Sequence, residues 1–141
     1  MTQQNPLTTI EKVIFLKSVD IFAHATVEQL GAIAALADEV DFESGKVIYR
    51  QGEPAEAIYL ILKGSVVVQR NGRVLREVGE KRAIGTVAAL DLCLAVHDVA
   101  ALTPVHALEL KFADFHDLLT LDYELVKAVF RSLCQLIREN Q

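Results

Sequence analysis

The residues between Gly79 and Leu102 have the types and spacing that could bind an anion. A strand-like run ends at Gly85, a short apolar segment follows it, and a second strand-like run begins near Val96. A glycine that leads into one or two helical turns points unpaired backbone N–H groups at a negative charge. This stretch has no lysine or arginine after Arg82. The sequence therefore predicts the geometry of an anion-binding loop with little of its positive charge.

The other reactive side chains form no catalytic or metal-binding pattern. A metal-binding β-roll of the cupin kind needs clustered histidines, whereas the four here are scattered and lack His-x-His spacing. Nor does the sequence suggest a Ser-His-Asp or Cys-His arrangement, or a pair of catalytic carboxylates. We therefore predict no enzyme, no metal and no required cofactor, and a cupin-like metalloenzyme is the least favoured alternative. The four histidines are His24, His97, His106 and His116.

Composition is that of an ordinary globular protein. The chain has 141 residues, 52% of them hydrophobic, and a formal net charge of −5. This length fits one domain, expected over residues 10–141 after a flexible N-terminus at 1–9. The negative charge argues against direct nucleic-acid binding, and no apolar run approaches the ~18 residues that could cross a bilayer. Since no signal peptide is apparent either, we expect a cytoplasmic location without membrane insertion. Cys93 and Cys134 lie in apolar contexts and are expected to be buried free thiols.

Helical periodicity marks both ends of the chain. Residues 10–16 have helical spacing, and a turn then places Ile21 and Phe22 in the core. Thr26 and Gln29 form a capping-box pattern before a helix expected over 27–37. Near the C-terminus, Asp114 is expected to cap a short helix and Asp122 a longer one. The apolar stripe of the longer helix, from Leu125 to Ile137, is expected to pack on the rest of the domain or to form part of a partner surface.

Between these helices the pattern changes to short β-prone runs separated by glycine-containing turns. Such punctuation predicts an α+β protein with an eight-stranded antiparallel β-roll of the jelly-roll kind, flanked by N-terminal and C-terminal helices. The dipeptide Asn71-Gly72 predicts a hairpin with a type I′ turn. The runs other than the one before Gly85 are 40–42, 47–49, 58–62, 66–69, 74–78, 96–102 and 105–111.

Two segments of the chain resemble the cyclic-nucleotide-binding domain family. They are FLKSVDIF and, after the capped helix, VDFESGKVIYRQGEPAEAIYLILKGSVVV. The family includes the sensor domains of bacterial catabolite-type regulators, of protein kinase A regulatory subunits and of gated channels. The resemblance covers roughly residues 10–140 and implies a regulatory role in signal transduction. The glycines that match the family's spacing are Gly45, Gly52, Gly64, Gly72, Gly79 and Gly85.

The resemblance also implies a ligand pocket, because the family holds its cyclic nucleotide in a phosphate-binding cassette. The cassette is usually phenylalanine or isoleucine, then Gly-Glu-Leu-Ala, and an arginine about nine residues further on. Its glutamate binds the ribose hydroxyl, and its arginine pairs with the phosphate. In this chain Thr86 takes the place of the glutamate and Ala95 or Val96 that of the arginine, so the cassette is degenerate. The candidate pocket residues are Ile84, Gly85, Thr86, Val87, Ala88, Ala95 and Val96.

Loss of the arginine alone should weaken cyclic-nucleotide binding roughly 30- to 3,000-fold, since removing one partner of such a charge pair costs about 2–5 kcal/mol. Among the nearby basic side chains, Arg82 is the candidate substitute cation. His97 alternates away from Val96. The arginines flanking the hairpin, Arg70, Arg73 and Arg76, are interpreted as a solvated edge.

Two hypotheses about function remain. In the first, the chain is a regulatory domain with weak or absent cAMP and cGMP binding, and it acts on a protein partner or within a larger parent protein. In the second, it senses a cyclic nucleotide or another small molecule in the same pocket, and binding shifts the hinge between the cassette and the last helix. Titration with cAMP and cGMP separates the two.

Overall fold

Alternating hydrophobic residues build two β-sheets in the computed structural model, which describes residues 6–91 and 93–139. Eight strands in these residues form two antiparallel four-stranded sheets, in the orders β1-β8-β3-β6 and β2-β7-β4-β5. The predicted α+β class and β-roll are confirmed. The strands are β1 (Asp38–Phe42), β2 (Val47–Tyr49), β3 (Ala57–Lys63), β4 (Val66–Arg70), β5 (Arg73–Val78), β6 (Ala83–Ile84), β7 (Asp98–Ala101) and β8 (Val105–Lys111).

The hairpin between β4 and β5 has the predicted turn. Asn71 and Gly72 both have positive φ, 54° and 77°, as a type I′ turn requires at its two central residues. The register then pairs Val66 with Val78 and Arg70 with Arg73. This register decides which β5 side chains face the interior.

All helices but α3 (Thr86–Leu90) lie before or after the strands in sequence, and three of them begin with a side-chain cap. Thr26 and Gln29 form the predicted capping box. Thr8 and Glu11 form a second capping box, which we did not predict from the sequence. The Asp122 carboxylate accepts the Leu125 N–H at 3.1 Å, as its predicted capping role requires. The helices are α1 (Thr9–Lys17), α2 (Val27–Leu36), α3 (Thr86–Leu90), α4 (Phe112–Leu121) and α5 (Tyr123–Glu139), with a 3-10 turn at Asp20–Phe22.

Three expectations need correction at the helices. Asp114 does not cap α4, because the helix begins two residues earlier at Phe112, whose ring is buried and whose N–H donates to the Glu56 carbonyl at 2.8 Å. Cys134 is exposed, and Cys93 is only partly buried. The expected flexible segment 1–9 overlaps the Thr8 cap, while its residues 1–5, like 140–141 of the expected domain, lie outside the described residues.

The return strand after the cassette is shorter than predicted. It starts at Asp98 and ends at Ala101, so Val96 and His97 lie in the bend before β7. The backbone of Ala95 nevertheless pairs like a strand, since its N–H donates to the Glu53 carbonyl and its carbonyl accepts the Gly52 N–H. The strand predicted over 96–102 therefore begins two residues late and ends one residue early.

The core joins the helices to the sheets. Phe22 and Phe115 are fully buried and meet edge to face, with ring centroids 6.3 Å apart. Burial of such aromatic side chains is the largest single contribution to cohesion in a small domain. Leu125 and Val129 hold α5 against this core. No helix within residues 6–91 and 93–139 is long and apolar enough to cross a membrane.

His106 on β8 makes a charged bridge to β1. Its Nδ1 lies 2.7 Å from Asp41 Oδ1 and its Nε2 lies 2.8 Å from Glu39 Oε1. Carboxylates only accept hydrogen bonds, so both ring nitrogens carry protons in this arrangement. Partial burial lowers the pKa of His106, but the hydrogen bonds to Asp41 and Glu39 outweigh it and leave the pKa raised. Glu39 also accepts the Leu7 N–H at 2.6 Å, which ties the start of the domain to the sheet.

This bridge predicts a pH-dependent stability. Because the pKa of His106 is higher in the folded chain than in the unfolded one, its contribution is complete below about pH 6.5 and is lost as pH rises through the folded value. We expect the free energy of unfolding to fall by about 0.5–1 kcal/mol over that rise, as befits a partly exposed ion pair. Urea unfolding at a series of pH values measures it. The His106→Gln variant should remove this part of the slope, and an unchanged slope would contradict the assignment.

Candidate functional site

The predicted pocket residues meet at one cavity of about 640 Å³. Residues 84–88, Ala95 and Val96 all line it, and so does Arg82. The opposite wall comes from the sheet β2-β7-β4-β5, and α5 and the 3-10 turn close the remaining side. A cavity of this volume can hold a small organic molecule. The chain therefore has a ligand-sized space at the position that the cassette pattern indicated.

Tyr49 on β2 fixes the glycine that begins the cassette. Its hydroxyl donates to the Ala57 carbonyl at 2.5 Å and lies 3.2 Å from the Ile84 carbonyl. Gly85 has φ +91°, and a Cβ atom there would overlap the Tyr49 hydroxyl and lie 2.9 Å from Cζ. Burial, and then the nearby Tyr59 and Glu109, raise the pKa of Tyr49 well above its ordinary value. The hydroxyl therefore stays neutral and remains a donor.

Positions 86 and 95, which would bind the ribose and phosphate of a cyclic nucleotide, have neither an acidic nor a basic side chain. The Thr86 Oγ1 atom is buried and has no hydrogen-bond partner in the part of the chain that the structure describes. Ala95 is 6% exposed and presents only a methyl group to the cavity. Val96 adds two further methyl groups beside it. An anionic phosphate placed here would lose water and gain no positive partner from the cassette.

Arg82 lines the cavity, but its charge has a counter-ion. Its Nε donates to Asp20 Oδ2 at 2.9 Å, and the Asp20 side chain is only 15% exposed. The other Asp20 oxygen lies 3.4 Å from the Ala83 backbone nitrogen. The ion pair connects the residue before β6 to the 3-10 turn, which is a structural role. As a substitute for the missing arginine, Arg82 would offer a ligand a charge that Asp20 already neutralises.

Arg76 and His97 also line the cavity, although the sequence reading had placed both outside it. On β5, Arg76 alternates with the buried Val78 and so lies on the same face of the strand, where it is exposed and lines the cavity. That alternation was visible in the sequence and could have identified Arg76. Partial burial, then the charges of Arg76 and Arg70, lower the pKa of His97. The imidazole is therefore mainly neutral at pH 7, and the arginine close to it supplies the charge.

The last helix contributes the apolar side of the cavity. Leu133, Leu136 and Ile137 of α5 line it together with Ile21 of the 3-10 turn. Leu133 and Leu136 also pack against the core, whereas Ile137 is 59% exposed. A ligand in the cavity would contact α5 directly. The cassette and the last helix therefore line the same cavity, and the hinge expected between them stays a prediction.

Within residues 6–91 and 93–139 no group of three or more histidine, cysteine, aspartate or glutamate side chains could hold a metal ion. The histidines lie on different elements: His24 contacts Gln135 of α5, and His116 contacts the Ala89 carbonyl.

The sequence profile described as cyclic nucleotide-binding domain matches residues 39–122, which run from β1 to the end of α4. A protein of Rhodopseudomonas palustris named as a potassium channel protein is 29% identical to the chain over 115 residues, which are 79% of this chain and 28% of that protein. The chain therefore corresponds to less than a third of this relative.

Solved structures show the same fold. The N-terminal domain of a transcriptional regulator from Streptomyces coelicolor A3(2) is 27% identical, with a TM-score of 0.74 over 89% of this chain and 91% of that one. The regulatory subunit of a cAMP-independent protein kinase A from Trypanosoma brucei was solved as a triple variant bound to cAMP. It is 25% identical, with a TM-score of 0.72 over 91% of this chain and 51% of that one. Its three substitutions are glutamate to alanine, threonine to arginine and, at the residue after that threonine, valine to alanine.

Proposed function

The chain belongs to the cyclic nucleotide-binding domain family, and we propose that it is a non-enzymatic regulatory domain whose pocket binds cAMP and cGMP weakly or not at all. The observation that carries this proposal is that the cassette keeps its glycine and short helix but lacks the acidic and basic side chains that bind a cyclic nucleotide. Gly85 keeps its left-handed conformation at the cavity, while Thr86 and Ala95 supply neither carboxylate nor guanidinium. Arg82 does not replace the lost charge, because Asp20 neutralises it.

The trypanosome relative supports this interpretation. Its name calls the kinase cAMP-independent, and the variant bound to cAMP has an arginine introduced in place of a threonine, with alanine replacing valine at the next residue. Ala95 and Val96 are the corresponding kind of pair here: a small side chain without charge, then a valine. We infer that the same missing guanidinium keeps this chain from binding cyclic nucleotides.

We further propose that the domain acts in the cytoplasm on a protein partner or within a larger protein, without direct contact to nucleic acid. The Rhodopseudomonas relative, which extends far beyond the matched region, supports the second arrangement. In either arrangement α5 is the element that would transmit a change, because it contacts the cavity with Leu133 and Leu136 and the core with Leu125 and Val129.

Calorimetric titration of the chain with cAMP and cGMP tests the proposal. We expect no dissociation constant tighter than ~10 μM, about −7 kcal/mol, at ligand concentrations up to millimolar. A tighter constant for either nucleotide would overturn the proposal and establish a conventional cyclic-nucleotide sensor. Titration of each nucleotide into buffer alone measures the heat of dilution.

A second candidate function is a sensor for a different small molecule in the same cavity. One observation favours it: the cavity is open rather than filled by the side chains that replaced the cassette residues.

A further inference from the structure

We propose that the cavity takes a small molecule with a hydrocarbon body and one carboxylate, and that Arg76 and His97 bind the carboxylate on the strand side of the cavity. This inference rests on the proposed function, since it requires that the cassette no longer selects a cyclic phosphate. It assigns the binding of the anionic group to β5 and to the bend before β7.

The walls favour a hydrocarbon body. Val68, Val78 and Val99 line the cavity from the sheet, and Leu133, Leu136 and Ile137 line it from α5. These are hydrocarbon surfaces on opposite sides of the same space. Apolar ligand surface gains free energy on leaving water for such walls, roughly in proportion to its area. A sugar is disfavoured, because its hydroxyl groups would meet mostly apolar partners here.

The charge available in the cavity favours an anion. The Arg76 side chain has no hydrogen bond or ion pair among residues 6–91 and 93–139, whereas Arg82 is neutralised by Asp20. Arg70 on β4 adds positive charge close to His97. Asp98, the acid next to His97 in sequence, accepts the Gln51 N–H at 2.8 Å. The strand side of the cavity thus carries the Arg76 guanidinium, which has no ion-pair partner among the described residues, together with the nearby charge of Arg70 and the Asp98 carboxylate.

A carboxylate matches these two side chains. A guanidinium can donate two parallel hydrogen bonds to the two oxygens of one carboxylate, and imidazole can donate a third. His97 is mainly neutral at pH 7 before the ligand arrives, because burial and the neighbouring arginines lower its pKa. A bound anion would favour the protonated form of His97. Carboxylate binding would therefore be coupled to uptake of a proton by His97 and would strengthen as pH falls.

Octanoate and octan-1-ol are the matched probes for this proposal, because they share a hydrocarbon body and differ in charge. Calorimetry or ligand-observed NMR should show the native chain binding octanoate about 3- to 10-fold more tightly than octan-1-ol, as expected for a partly exposed ion pair. Arg76→Gln should bring octanoate down to the affinity of octan-1-ol. Arg73→Gln, on the same strand but outside the cavity, should leave the preference unchanged.

Octan-1-ol binding that is equal in the native and Arg76→Gln chains shows that the variant keeps its fold and cavity. Lowering the pH from about 7.5 to about 6 should strengthen octanoate binding in the native chain and leave octan-1-ol unaffected. Equal affinity for the two probes, loss of the preference in Arg73→Gln, or no binding of either probe would overturn the proposal. A parallel cAMP titration keeps the outcomes separate: tight cAMP binding refutes the proposed function, whereas failure of octanoate alone refutes only this inference.

Discussion

Replacing Thr86 by glutamate and Ala95 by arginine is expected to tighten cAMP binding by roughly 30- to 3,000-fold. Both side chains line the cavity at its cassette wall, where Gly85 already holds the backbone in the left-handed conformation. The new arginine would supply the charge that a phosphate needs, and the new glutamate would accept from a ribose hydroxyl. The cassette backbone is therefore already in place in the native chain, and the substitutions supply the missing acidic and basic side chains. Calorimetry with cAMP measures the gain.

The matched control moves the arginine by one residue. Leu94 is 43% exposed and does not line the cavity, so Thr86→Glu with Leu94→Arg has the same net charge but no guanidinium in the pocket. We expect this control to bind no better than the native chain. Adding Val96→Ala to the active pair should improve it further, since the valine methyl groups border the phosphate position. A double variant that folds and still fails to bind cAMP would show that the alignment of Ala95 with the family's arginine is wrong.

The elements that could be predicted from the sequence are those that local chemistry specifies. Thr26 and Gln29 cap α2 through each other, and Asn71-Gly72 turns the β4–β5 hairpin through its own positive φ angles. The start of α4 was not predicted because it depends on a residue that is distant in sequence. The Phe112 N–H donates to the Glu56 carbonyl, and no local sequence pattern predicts that hydrogen bond.

The prediction that Cys134 is buried was wrong for a geometric reason. Successive residues on an α-helix are turned by about 100°, so the residue after Leu133, which packs against the core, points to a different face. An apolar neighbourhood in sequence does not place a residue on the apolar stripe. The stripe itself, from Leu125 to Ile137, does pack on the domain, but its last residues line the cavity.

The sequence predicted the residues of the cassette wall, whose role in ligand binding stays a prediction, but not the other residues that line the cavity. The cassette wall is one continuous segment, so the resemblance could locate all its residues, and the structure brings them together at the cavity. The other walls are assembled from the sheet β2-β7-β4-β5, the 3-10 turn and α5, most of which are remote from the cassette in sequence. Arg76 lies between these cases: its alternation with Val78 indicates an inward side chain, but its charge suggested a solvated edge. Only the fold shows that the edge borders a cavity.

Gly85→Ala is expected to destabilise the domain by about 2–4 kcal/mol. An L-residue at φ +91° costs about 1–2 kcal/mol, and the added Cβ would overlap the Tyr49 hydroxyl, which is already held by the Ala57 carbonyl. Gly45→Ala is the matched control, because Gly45 has φ +88° and nothing within 4 Å of an added Cβ. It should show the conformational cost alone. Urea unfolding of both variants measures the difference.

The overlap with Tyr49 can be separated from other effects by a double-mutant cycle. Tyr49→Phe removes the oxygen that the new Cβ would meet, and alone it should cost about 1–2 kcal/mol through the lost hydrogen bond. In that background Gly85→Ala should cost about 1–2 kcal/mol less than in the native chain. Additive effects would contradict the contact. Since Tyr49 requires a glycine at position 85 whether or not a ligand binds, Gly85 indicates how this fold packs, and the side chains at positions 86 and 95 indicate whether the pocket can bind a cyclic nucleotide.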